Sequence, residues 1–185
     1  MNFNAHSNLK GLHAPFSASS YHWINYDEQK FIDVYKAMLA KDRGNRLHSI
    51  AQDLISEGIK LPNTRKTLNA YVNDAIGYRM TPEQILYFSE NFFGTADAIC
   101  FDEKKKFLRI HDLKTGKTPA SMNQLFVYTA LFCLEYAIKP ADIHAELRIY
   151  QNDDILVCEP ALEDIVPIMD KIIFFDKLIP NLKGE

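Results

Sequence analysis

Cysteine is scarce in this sequence. Three occur in 185 residues, Cys100, Cys133 and Cys158, far apart and without a CxxC pair. That odd, scattered set argues against a disulfide framework and offers no four-thiolate zinc or iron–sulfur site. A reducing, cytoplasmic location fits it best. Long apolar runs are also missing: none approaches the roughly 18 residues of a membrane span, so no membrane role is expected. The opening MNFNAHSNLKGLHAPF has neither a basic n-region nor an apolar h-region, and secretion is not expected. There is no large excess of one charge. At a net charge of −3, no global field recruits nucleic acid. Internal repeats, low-complexity segments and Pro/Gly/Ser linkers are absent as well.

What is present is an ordinary globular composition, 47% apolar and 24% charged, enough for one domain with a real core. We expect a single domain over residues 1–185, with about the first 20 residues irregular. One local charge feature stands out. Between Lys104 and Lys117 lie six cations (Lys104, Lys105, Lys106, Arg109, Lys114, Lys117) and one acid, Asp112. Such a strip can contact phosphates, although the lysine triplet alone reads as a solvated turn.

Helical periodicity predicts a helix from about Asp27 to Met38 and a second from Asp42 or Arg43 toward Ser56. The second carries an apolar stripe of Leu47, Ile50, Ala51 and Leu54, with Gly58 as its stop. Another helix is expected within Asn63–Tyr78. The period then shortens. ILYFSENFF, GTADAICF and FLRIHDLK read as three strands, the last two joined by a turn at Asp102–Lys106. SMNQLFVYTALFCLEYAI is a buried helix, AELRIYQ and DILVCEP a hairpin around Asn152–Asp153, and ALEDIVPIMDKIIFFDKLI a closing helix interrupted or kinked at Pro167. The order predicts an α/β fold, a mixed central β-sheet flanked by helices.

Two aspartates and a lysine carry the chemistry. Alternation along FLRIHDLK puts Leu108, Ile110, Asp112 and Lys114 on one face, and Phe107, Arg109, His111 and Leu113 on the other. A four-residue turn at Glu103–Lys106 sets the hairpin register so that Asp97 lies opposite Asp112. Two carboxylates that close repel, and one is forced neutral unless a divalent cation sits between them. An all-oxygen site of this kind suits Mg²⁺ or Mn²⁺. A lysine beside it can orient a water or stabilise charge on a phosphate.

These residues also match a family pattern. G-x-x-D (Gly94 to Asp97) followed by D-L-K-T-G, with Gln124 ten residues after Lys114 and Tyr128 four further on, resembles the PD-(D/E)XK nucleases, most closely their RecB-like branch of phage recombination exonucleases and CRISPR-associated nucleases. GNRLHSIA supplies the branch's upstream glycine and histidine, and SASSYHWINY its Ser/Trp segment. The similarity spans about Ser17 to Tyr150. It implies a restriction-endonuclease-like core and a Mg²⁺- or Mn²⁺-dependent deoxyribonuclease, an exonuclease of phage recombination or repair. The implied partners are DNA and a phage recombination or single-strand-binding protein. It makes Asp97 and Asp112 metal ligands, with the Leu113 carbonyl and His48 as accessory ligands. Lys114 becomes the residue that orients water and phosphate, and Gln124 and Tyr128 stand near the metal and the strand. Glu90 is a further carboxylate candidate. Many relatives carry a cysteine where Tyr26 stands, and a C-terminal cysteine cluster; with neither here, no iron–sulfur cluster is implied. The alternative is a nucleic-acid- or protein-binding module that keeps the fold without turnover. His6, His13, His22, His111 and His144 show no mutual spacing that suggests a site, and Trp23 reads as packing.

Overall fold

The computed structural model describes residue 5 and residues 7–9, 11–12 and 14–182; His6 and His13 lie outside them. The chain divides into two compact units, Met1–Asn45 and Arg46–Glu185. In the first, a 3-10 segment (Ala18–Asn25) starts at Ser17, whose Oγ accepts the Ser20 N–H at 3.3 Å while its carbonyl accepts the Trp23 indole N–H at 3.0 Å. Asp27 caps the following helix, its Oδ1 taking the Lys30 N–H at 2.7 Å. Phe16 stacks on Phe31 with ring centroids 4.4 Å apart.

Helix α1 runs without a break over Glu28–Ser56, where sequence periodicity predicts two helices. The segment between them, Leu39–Asp42, contains no proline, and Gly44 alone costs about 1 kcal/mol, too little to stop a helix of strong formers. The helix ends as expected. Gly58 adopts φ +67°, its N–H bonds the Ile55 carbonyl, and the Ile59 N–H bonds that of Leu54, which closes a Schellman motif. The buried stripe differs from expectation at one position: Ile50 is exposed, whereas Ala51 and Ile55 are buried. His48 is three residues before Ala51 and seven before Ile55, so it opens that stripe.

The second unit continues with α2 (Thr67–Gly77), β1 (Thr81–Ser89), β2 (Phe92–Asp102), β3 (Phe107–Leu113), α3 (Asn123–Glu135), β4 (His144–Gln151), β5 (Asp154–Cys158) and α4 (Leu162–Leu182). Its sheet is five-stranded and mixed, in the order β1-β2-β3-β4-β5; β3 and β4 are parallel across the α3 crossover and every other pair is antiparallel. The α/β class and the mixed sheet with flanking helices therefore match expectation. The first hairpin does not. Its turn falls at Glu90–Asn91 rather than beyond Phe93, and β1 starts at Thr81, Pro82 being tolerated because β1 is an edge strand. Helix α4 is not interrupted at Pro167. The β4–β5 turn is as predicted, with Asn152 and Asp153 both left-handed at φ 53° and 60°.

Two cores sandwich the sheet. One, between the sheet and α3 and α4, holds Leu86, Leu108, Ile110, Leu125, Leu147 and Ile165. The other packs Ala51 and Ile55 of α1 and Tyr71, Val72 and Ala75 of α2 against Ala98, Leu113 and Tyr150. Each fully buried Leu or Ile contributes about 1.5–3 kcal/mol. On this second face Tyr150 donates to Asp74 Oδ2 at 2.7 Å, and Arg148 pairs with the same atom at 3.2 Å. His111 lies beneath them with no exposed surface, its pKa pushed down to about 3 by burial and then by Arg148 and Arg109. It faces away from Asp112, as alternation predicts. No helix among the described residues is long and apolar enough to cross a membrane.

Candidate metal centre

The site begins where β2 and β3 part. Their ladder runs from Asp102↔Phe107 to Ala98↔His111, and one further step sets Asp97 opposite Asp112, as the turn length predicts. The backbone ladder ends there. The Leu113 N–H donates instead to Asp97 Oδ2 at 2.8 Å, and the Lys114 N–H stays on β4 through the Tyr150 carbonyl at 2.9 Å. Leu113 thus enters the site through its backbone. The strands diverge at the two positions that carry carboxylates.

Helix α1 places His48 against them from the other side, its Nδ1 3.4 Å from Asp97 Oδ2. Glu83 of β1 completes the group: one ligand atom from each of His48, Glu83 and Asp97 lies within 4.8 Å of the others. The sequence pattern points to Glu90 as the further carboxylate and not to Glu83. Glu90 is exposed in the β1–β2 turn, roughly 20 Å along the strand from Glu83. The signal that would have found Glu83 is its register position, since β1 pairs Pro82 with Ala98 and Gln84 with Ala96, leaving Glu83 beside Asp97.

On the α3 side a chain of polar contacts leads away from Asp112. Lys114 Nζ donates to Asp112 Oδ1 at 2.9 Å and to Gln124 Oε1 at 2.7 Å, and Gln124 Nε2 donates to the Tyr128 hydroxyl at 2.9 Å. The i, i+4 spacing on α3 makes the last bond possible. Gly94 explains how Tyr128 fits: a Cβ there would stand 2.9 Å from Tyr128 Cε1, so the ring lies directly over β2. Gln151, a second residue missed from sequence, fixes the loop between Lys114 and Gln124. Its Nε2 donates to the Gly116 and Thr118 carbonyls at 2.6 and 2.8 Å, and its Oε1 accepts the Ala120 N–H at 3.1 Å.

The expected basic strip is not continuous. Lys104, Lys105 and Lys106 project from the turn at the far end of β3, roughly 25 Å from Lys114. Arg109 pairs with Glu146 at 3.1 Å on the opposite face.

Electrostatics favour a cation at the divergence. Asp112 has a side chain 2% exposed, and its Oδ2 has no partner. Burial, then the neighbouring Asp97 charge, push its pKa up against the opposing pull of Lys114. Burial and Asp97 raise Glu83 as well. The hydrogen bond to Asp97 raises His48 despite the opposing effect of burial. Groups held toward their protonated forms by crowded negative charge are those a divalent cation relieves. The donor set, carboxylate oxygens with one imidazole, fits Mg²⁺ or Mn²⁺, the imidazole favouring the latter. No family model matches the chain, and no match was found among curated proteins or solved structures.

Proposed function

We propose that this chain is a Mg²⁺- or Mn²⁺-dependent deoxyribonuclease of the RecB-like PD-(D/E)XK type, acting as an exonuclease in phage-type recombination or repair. One observation carries the reading. The buried, half-satisfied carboxylate of Asp112 lies opposite Asp97 where β2 and β3 part, and Lys114, two residues on, reaches the same carboxylate. The residue order and the polar chain to Gln124 and Tyr128 support the family reading.

Asp97 and Asp112 would hold the cation, with His48 and the Leu113 carbonyl as accessory ligands. When bound, Mg²⁺ or Mn²⁺ supplies Lewis-acid charge for a phosphodiester and acidifies a coordinated water. The rest is done by the chain. Asp112 keeps Lys114 beside the site, and Lys114 orients the attacking water and offsets charge building on the phosphate oxygens. Gln124 and Tyr128 fix the lysine's direction from α3, and Gln151 fixes the loop that carries it there.

The experiment is one digestion panel: labelled linear and circular DNA, single- and double-stranded, and an RNA strand, each with Mg²⁺, Mn²⁺ or EDTA. Divalent-dependent release of nucleotides from linear DNA ends is expected. Binding without cleavage under every divalent condition would instead make the chain a non-catalytic module on this fold.

A further inference from the structure

We infer that Glu83 is a cation ligand of this centre, presented by a strained left-handed backbone; the inference rests on the metal-dependent reading above. Both edge-side strands step out of their pleat at this point. On β2, Gly94 lies against Tyr128 and Ala96 belongs to the α3-side core, yet Ala98 belongs to the opposite core and Ile99 to the α3 side again. Strict alternation would put Ala96 and Ala98 on one face. The slip falls at Asp97. On β1 the partner of that slip is Glu83, at φ +49°. The register is the same on either side, Pro82↔Ala98 and Gln84↔Ala96, so the two strands shift together, and between Thr81 and Tyr87 this pair alone leaves the ladder.

Glutamate seldom adopts such a backbone; glycine and asparagine are the residues that take it readily. Strain of this kind persists only where the surroundings impose it, and it gathers at functional sites. Here its result is specific: the Glu83 carboxylate is brought to His48 and Asp97, their ligand atoms mutually within 4.8 Å. A second feature stands across the hairpin from this group. Asp112, opposite Asp97, keeps a buried carboxylate oxygen without a partner, while Lys114 is engaged by Asp112 and Gln124. Glu83, Asp97 and His48 are the mutually close donors, and Asp112 beyond Asp97 adds a third carboxylate of the kind a hard divalent cation takes.

The test uses the full chain with Mn²⁺ as the probe, following affinity by calorimetry and melting with and without the ion. Glu83→Gln keeps the side-chain size and removes the charge; Glu83→Gly frees the backbone; Glu83→Asn removes the charge in a residue type that accepts positive φ. All three are expected to bind Mn²⁺ at least tenfold more weakly than wild type. Without metal, Glu83→Gly should melt above Glu83→Gln by about 2 °C, since relief of the left-handed strain exceeds the entropy cost of glycine. Should Glu83→Gln fail to fold, Glu83→Asn carries the affinity comparison and the melting reference. Mn²⁺ affinity within twofold of wild type in the folded variants overturns the ligand assignment, and Glu83→Gly melting below the charge-neutral variant overturns the strain. Asp112→Asn separates the two levels. If it loses Mn²⁺ and Glu83→Gln does not, only the Glu83 inference falls; if wild type binds no Mn²⁺, the metal-dependent reading falls with it.

Discussion

Asp112→Asn should make the metal-free protein more stable while abolishing the proposed DNA cleavage. The Asp112 side chain is 2% exposed, one of its oxygens has no partner, and Asp97 faces it across the hairpin. A buried, unsatisfied acceptor of this kind costs about 1–3 kcal/mol. Asparagine keeps an oxygen to accept from Lys114 and replaces the repelled oxygen with an N–H donor that Asp97 can accept. What is lost is the ion pair with Lys114, whose side chain is 30% exposed and also held by Gln124, so the pair is worth about 1 kcal/mol at most. The balance is a gain of about 1 kcal/mol, a rise in Tm of about 2–4 °C for a chain of this size. Melting in EDTA measures it. In Mg²⁺ the same variant should cleave labelled DNA about 10²-fold or more slowly, through loss of the proposed ligand and of the anchor for Lys114. A variant that melts below wild type in EDTA and cleaves within a few-fold of it refutes both halves of the reasoning.

Other substitutions and conditions probe neighbouring parts of the centre. Lys114→Ala should lower single-turnover cleavage by about 10²-fold while Mn²⁺ affinity stays within a few-fold, because an ammonium group cannot ligate; lost metal binding with normal chemistry would contradict this. The pH dependence follows from groups whose pKa folding raises, since each contributes stability below its unfolded value and loses it as pH rises through the folded one. For Asp112 and Glu83 the loss begins above about pH 4, and for His48 above about pH 6.5. Metal-free Tm should therefore fall between pH 5 and 8 while the Mn²⁺-induced rise grows, because cation and protons compete for the same atoms. His48→Ala should flatten the upper part of that trend, and an unchanged Mn²⁺ profile removes His48 from the centre. Gly94→Ala should lower Tm by about 2–4 °C, because its Cβ, 2.9 Å from Tyr128 Cε1, must displace a ring held by Gln124; a cost of about 1 kcal/mol is typical of such overpacking. An unchanged Tm would mean that the ring yields freely.

Much of the candidate centre was legible in the sequence because it depends on local geometry. The period-two pattern of FLRIHDLK put Asp112 and Lys114 on one face and His111 on the other, and that is where they stand. The length of the Glu103–Lys106 turn set the register of β2 against β3, and with it the opposition of Asp97 and Asp112. Gln124 and Tyr128 meet because helix geometry joins i and i+4. Helix periodicity was also enough to bring out the stripe that carries His48, although not its edge, where Ile55 and not Ile50 is buried.

What only the tertiary structure decided are features that local rules do not encode. Glu83 reads as one polar residue before an edge strand; it reaches the site because β1 and β2 slip together and its backbone turns left-handed, which depends on the pairing and not on residue type. Gln151 pins the Lys114–Gln124 loop only because β4 lies parallel beside β3, a neighbour set by the α3 crossover. The helices expected on either side of Leu39–Asp42 fused into α1 because backbone hydrogen bonding continues wherever no residue removes a donor or forces another φ. The lysines of the basic stretch share a short length of chain but stand at opposite ends of β3, since an extended strand carries successive residues about 3.3 Å further apart. Proximity in sequence settled which residues share a face or a turn. Proximity across strands and layers, which carries the balance of charge at Glu83, Asp97 and Asp112, came from the fold.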